Sequence, residues 1–402
     1  MNIPFFTLKT FSLPLLFLAL VTPASGRAAA VEYDLLISYT TVNYSGKDVQ
    51  AMAVNGSIPG PTLRFTEGDR AVIRVRNEMD VETSVHWHGI LLPNIMDGVP
   101  YITTPPIRSG EAFTYEFDLT HSGTYWYHSH TNLQEQRGVY GSIVITPKQE
   151  VKTWDREEVL VLSDWTDEDP KEVLRTLKRG SEWYSIRKGT VQSWDRVIAH
   201  NAVGDRLRQS WGRMPPMDIS DVAYDAFLVN GARDMSLEDT RPGEKIRLRI
   251  INAAASTYFH LQYAGGPMTV VAADGPDVQP TEVDRLLIAI AETYDVIVTA
   301  PAEGSSEFRA TAQDVSGHTS LFIGKGHRMM APDIQPPNLF KMHDMMDMSG
   351  MSHGDVMPEE DTEMDISKGH ASAEKPMDQT MKMEMGMKSN NSAAPGHSDM
   401  DM

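Results

Sequence analysis

No cysteine occurs anywhere in the 402 residues. That absence excludes disulfides and every thiolate-based metal or catalytic site, including a blue-copper centre with its His and Cys ligands. Stability in an oxidising compartment must then come from packing. Positive charge is also scarce: 36 lysines and arginines face 55 acidic residues, a formal net charge of −19. Such an acidic chain is a poor partner for a nucleic-acid backbone and draws cations instead. Long apolar runs are missing after the first thirty residues. At the start, Lys9 is followed by the apolar run Phe11 to Val21 and by small residues from Ala24 to Ala30. This is the layout of a Sec-like secretory signal over residues 1–30, and the run is short for a membrane span. The expectation is export to the periplasm with no span left after cleavage.

Against these absences stand two His-x-His pairs, His86-Trp87-His88 and His128-Ser129-His130. Along a strand, alternate side chains share a face, so each pair presents two imidazoles the same way. One such pair could arise on a solvated strand. Two, each set in an aromatic and apolar strand pattern, make a metal site from four imidazoles, the ligands suited to copper, zinc, iron and nickel. The spacing is compatible with one ion held by each pair or with two neighbouring ions. His121, His200, His260, His318 and His327 stand alone and are read as structural.

Residues 31–150 carry many short strand patterns, such as Tyr33–Tyr39, Ala71–Arg76 and Thr124–His128, punctuated by Asn55-Gly56, Asp97-Gly98 and Ser109-Gly110. That density of short strands and turns predicts a β-sandwich. A second block, residues 151–330, opens on Val159–Leu162. It contains a charged stretch at about 170–214, where Val173, Leu174 and Leu177 have helical spacing, and then returns to strands such as Lys245–Ile251 and Asp295–Val298. The fold expected is all-β: two Greek-key sandwiches, the second with a mostly helical insertion.

From 331 to 402 the pattern changes. Fourteen acidic residues face five lysines, and large aliphatic and aromatic residues nearly vanish. Without them a segment cannot offset its chain entropy, so this stretch is expected to be disordered. Sixteen of the 24 methionines lie from Met329 onward. Thioethers among Asp, Gly and Ser suit Cu(I) better than a core, with imidazoles as auxiliary ligands. The candidates are Met342, His343, Met345, Met346, Met348, Met351, His353, Met381, Met383, Met385 and Met387.

Taken as longer motifs, Val85-His86-Trp87-His88-Gly89-Ile90-Leu91-Leu92-Pro93 with Met96-Asp97-Gly98-Val99-Pro100 resembles the first copper motif of a multicopper oxidase. The run from Gly123 through His128-Ser129-His130 to Gly141 resembles the second. The subtype resembled is the copper-resistance protein of the CopA/PcoA kind, through Leu162–Glu168, Arg241–Arg247 and Ala291–Val296, and a Met-rich linker is in keeping with it. The resemblance implies cupredoxin-like domains and copper as cofactor. It implies a type 2 ligand in His86, type 3 ligands in His88, His128 and His130, and proton delivery by Asp97 during oxygen reduction; Asp97 is equally suited to plain turn chemistry, since Asp-Gly is a common turn dipeptide. The family's third domain supplies the other cluster ligands and a His-Cys-His type 1 site, and nothing of the kind occurs here. The leader also lacks the twin arginine common in the subtype.

Whether the chain is an enzyme therefore stays open. It reads as a copper-binding protein of periplasmic copper resistance, related to oxidases of Cu(I) or phenols but incomplete alone as a catalyst. Three readings follow: one part of an oxidase whose third cupredoxin domain is on a separate polypeptide, a copper-sequestering protein acting through its tail, or an inactive truncated oxidase.

Overall fold

The computed structural model describes residues 29–211 and 219–340. Residues 1–28 of the leader, and all the tail copper candidates from Met342 to Met387, lie outside the described residues.

The first sandwich is built from β1 (Ala30–Val42), β2 (Val49–Val54), β3 (Gly60–Thr66), β4 (Arg70–Asn77), β5 (His86–His88), β6 (Ala112–Asp118), β7 (Gly123–His128) and β8 (Tyr140–Thr146). Two four-stranded sheets form, in the orders β2-β1-β4-β6 and β3-β8-β7-β5. Alternation sets the inner faces: on β4, Ala71, Ile73 and Val75 are buried while Arg74 and Arg76 face water. Leu35, Ile73 and Tyr115 from one sheet close one core with Leu63, Trp87 and Tyr127 from the other.

The second sandwich begins with β9 (Arg156–Trp165). Four helices interrupt it: α1 (Pro170–Arg179), α2 (Trp183–Lys188), α3 (Trp194–Ala199) and α4 (Val203–Trp211). Asp169 caps α1 by accepting from the Lys171 N–H, with Pro170 at the first position and Gly180 closing the end in the left-handed conformation. The strands resume as β10 (Ala226–Val229), β11 (Asp234–Leu237), β12 (Lys245–Asn252), β13 (Phe259–Tyr263), β14 (Met268–Ala273), β15 (Asp277–Val283), β16 (Arg285–Ile288), β17 (Thr293–Thr299), β18 (Gly304–Ala312), β19 (His318–Lys325) and β20 (Arg328–Met329). Their sheets run β10-β9-β12-β17-β14-β15 and β11-β19-β18-β13-β16, with β20 beside β18. The first four strands of each sheet repeat the first sandwich's order. The parallel pairs also match: β1 with β4 as β9 with β12, and β3 with β8 as β11 with β19.

The two sandwiches share a third apolar cluster, in which Ala51, Ile58, Trp126 and Tyr140 meet Val161, Trp165, Leu228 and Ile251. Beside it Asp295 accepts from Arg249 at 3.1 Å and from Thr124 Oγ1 at 2.7 Å, all three residues being buried. This explains why β7 and β12 are buried on both faces.

One boundary needs correction. Disorder was expected from 331, yet residues 331–340 are held against the second sandwich. The buried Ala331 donates its N–H to Glu307 at 2.8 Å, Asp333 pairs with Arg309 at 2.9 Å, and Gln192 donates to the Leu339 carbonyl at 2.8 Å. Polar contacts and one ring stack do the holding, which apolar content alone does not register.

Candidate metal centre

β5 and β7 pair antiparallel, with His86 opposite His128 and His88 opposite Trp126. Trp87 points inward and is fully buried in the first core, so His86 and His88 project from the outer face. His130 lies just past the end of β7 and is exposed. The strand period therefore brings all four histidines of the two motifs together. The His86 ring centroid is 5.6 Å from that of His88, 5.5 Å from that of His128 and 5.4 Å from that of His130. Ligating atoms of His86, His88 and His128 all lie within 4.8 Å of one another.

Neighbouring groups set which nitrogens are free. His86 Nδ1 donates to the Asp97 carbonyl at 2.7 Å and lies 3.3 Å from the Asp97 carboxylate, leaving Nε2 available. The Asp97 carbonyl is held there by a tight turn. Gly98 has φ +82° and packs so closely on the Val85 carbonyl that a Cβ would sit 1.7 Å from its oxygen. His128 Nδ1 lies 2.8 Å from Glu135 and 3.1 Å from the Ser129 carbonyl, which again leaves Nε2 as the acceptor. His88 Nδ1 faces His128 Nε2 at 3.4 Å. That gap is long for an N–H···N bond, but it fits two nitrogens each about 2.0 Å from one ion at a tetrahedral angle. Trp126 stacks on His128, ring centroids 4.1 Å apart, and walls the site on the side of the second sandwich.

Burial pushes His88 down to about 4, helped by the charges that His128 and His86 would carry, and burial likewise lowers His86. Neutral imidazole is the ligating form, so the donor set suits a borderline transition metal such as copper.

Asp97 sits at both expected places at once, in the turn and beside His86. Glu135 was not singled out from the sequence. It reaches His128 because the loop after β7 turns back through a short 3-10 segment, Glu135–Arg137, that Gln134 pins by accepting from Thr83 at 2.6 Å and from Ser129 at 2.9 Å. The signal available was its place seven residues after His128 in the second motif. The isolated histidines stay out of the site: His260 is buried in β13 and His200 stacks on Phe340, while His318 and His327 are exposed. His121 contacts the Gly89 carbonyl at 3.3 Å.

Two multicopper oxidase family models match, one over residues 36–150 and the other over residues 156–323. The chain belongs to the multicopper oxidase family, which implies copper as cofactor. Within it, the chain is 45% identical over 346 residues to Copper resistance protein A of Pseudomonas syringae pv. tomato, covering 83% of this chain and 56% of that protein. It is 42% identical over 356 residues to Copper resistance protein A of Escherichia coli, covering 84% and 58%. Among solved structures, Fet3p, a multicopper oxidase that functions in iron import, aligns with a TM-score of 0.61 at 23% identity, over 77% of this chain and 55% of that one. A laccase from Botrytis aclada aligns at 0.59 and 26% identity, over 77% and 56%. The chain thus spans a little over half the length of these relatives. Among the described residues no helix is long and apolar enough to cross a membrane.

Proposed function

We propose that His86, His88, His128 and His130 hold copper as one half of a type 2/type 3 centre, in a protein of periplasmic copper resistance exported by its leader. The observation that carries this is the 3.4 Å approach of His88 Nδ1 and His128 Nε2. Bound copper supplies redox chemistry toward oxygen, with Cu(I) or phenols as the electron donors the family suggests. The chain's own residues do the rest. Asp97 fixes the His86 tautomer through its carbonyl and keeps a carboxylate 3.3 Å away, where it would hold or pass a proton beside the copper ligands. Glu135 fixes His128 in the same way, as carboxylates do for metal-bound histidines.

The 402 residues contain no thiolate through which electrons would enter. Catalysis then needs ligands and an electron path from further protein, continuous with this chain or separate. Exposed apolar side chains on the loop that carries Asp97 favour this reading: Leu91 is 70% exposed, Tyr101 74% and Ile102 80%. An apolar rim beside a ligand set with open positions is what a docking partner would cover. The test is Cu(II) retention by the full chain, followed by oxygen consumption when a polypeptide carrying a His-Cys-His cupredoxin domain is added. Retention without turnover, then turnover on addition, is expected. No copper retention would overturn the half-site.

A second reading, Cu(I) sequestration by the tail, rests on its methionines. Removal of residues 341–402 lowers Cu(I) stoichiometry if it holds; unchanged uptake removes it.

A further inference from the structure

The helical insertion differs from the rest of the chain in charge and in surface. Residues 170–211 hold nine lysines and arginines against four acidic residues, within a chain of net charge −19. Its helices also leave apolar stripes uncovered. Val203, Leu207 and Trp211 recur at every fourth position of α4 and are all exposed, Trp211 at 93%. Trp194 and Ile198 do the same on α3. Three and four residues apart is one face of a helix, so these stripes are designed faces rather than scattered exposure. A contiguous exposed apolar face marks an interaction site.

The course of the chain says what reaches it. Residues 331–340 are led from the second sandwich to this insertion: Gln192 holds the Leu339 carbonyl, and Phe340 stacks face to face on His200, directly after α3, with centroids 4.3 Å apart. The next ten residues, 342–351 after Lys341, contain five methionines and two aspartates, with no lysine or arginine. Their only large apolar side chains are thioethers, which make favourable contacts with aromatic rings. Ten residues reach at most about 3.3 Å each, far enough to lie along either of the two short helices that meet beside His200 and Phe340.

We infer that the α3–α4 face is a docking site for this chain's own segment 342–351, an acidic methionine-rich stretch seated on an apolar surface within a basic insertion. Tethering at Phe340 makes the contact intramolecular, so a weak interaction suffices.

The absence of cysteine allows a direct test in the full chain. Cross-linking of Ile198→Cys with Met346→Cys is compared with cross-linking of Val278→Cys, exposed on β15, with Met346→Cys. The first pair should react about ten times faster, because docking raises its effective concentration. Changing Leu207 and Trp211 to Ser, both exposed and free of core packing, should remove that advantage. Equal rates for the two pairs would overturn the inference. So would a cross-linked dimer as the main product, which would give the face to a second copy. Co-sedimentation with phosphatidylglycerol vesicles that the L207S/W211S change abolishes, with cross-linking unaltered, would give it to a lipid surface instead.

Discussion

The two sandwiches share one strand order but use the same outer surface in different ways. In the first, the outer face of β5 and β7 carries His86, His88 and His128, open to a further ligand set. In the second, the corresponding strands β13 and β18 turn His260, Gln262, Arg309 and Thr311 outward, and all four are buried. Arg309 pairs with the fully buried Glu307 at 2.7 Å, and Glu307 also accepts from Ser320 and from the Ala331 N–H. The second surface holds the buried Arg309–Glu307 pair beside Ala331, and the first is a cluster of imidazoles. Topology alone does not make a metal site. What sets the first surface apart is period-two histidines on two paired strands, with carboxylates behind them.

The largest expected effect separates the two surfaces outright. Changing His86, His88, His128 and His130 together to Ala should abolish Cu(II) retained through gel filtration, while His260→Asn should leave it unchanged. If His260→Asn also removes copper, the contrast between the sandwiches is wrong. Arg309→Leu tests the other surface. It strands Glu307 without its main partner, so stability measured by urea unfolding should fall by about 3–5 kcal/mol, with Cu(II) stoichiometry intact. A loss under 1 kcal/mol would mean the network contributes little. A smaller effect is expected from Glu135→Gln, which keeps the shape but removes the carboxylate behind His128. Copper affinity should weaken about tenfold, read by competition with a chelator. No change would reduce Glu135 to a loop residue.

The smallest effect is in pH. Burial pushes both His88 and His260 down to about 4, so the folded, metal-free protein leaves them neutral where the unfolded chain, near 6.5, takes up protons. Stability should be full above pH 6.5 and fall as the pH drops toward 4. His260→Asn should flatten that slope without altering copper binding. A urea midpoint that rises between pH 6.5 and 5 would contradict the assignment.

How much of this was legible in the sequence varies with the physics involved. Strand β4 could be read from its alternation because one face meets water. The His-x-His pairs could be read because their period matches the strand. Strands β7 and β12, buried on both faces, were still legible as Thr124–His128 and Lys245–Ile251, but the Arg249–Asp295–Thr124 contact across the two sandwiches leaves no local pattern. Glu135 could not be placed because a loop, and not a strand repeat, carries it to His128. Asp97 was legible as a turn, and its approach to His86 depends on Gly98 fitting under the Val85 carbonyl. The order of residues 331–340 was missed because Asp333, Leu339 and Phe340 act through long-range partners that composition does not reveal.

The most direct test of the central claim is copper-edge anomalous diffraction from crystals of the full chain soaked in Cu(II). A copper peak is expected within about 2.0–2.2 Å of both His88 Nδ1 and His128 Nε2. Copper bound elsewhere, with no peak between those two nitrogens, would contradict it.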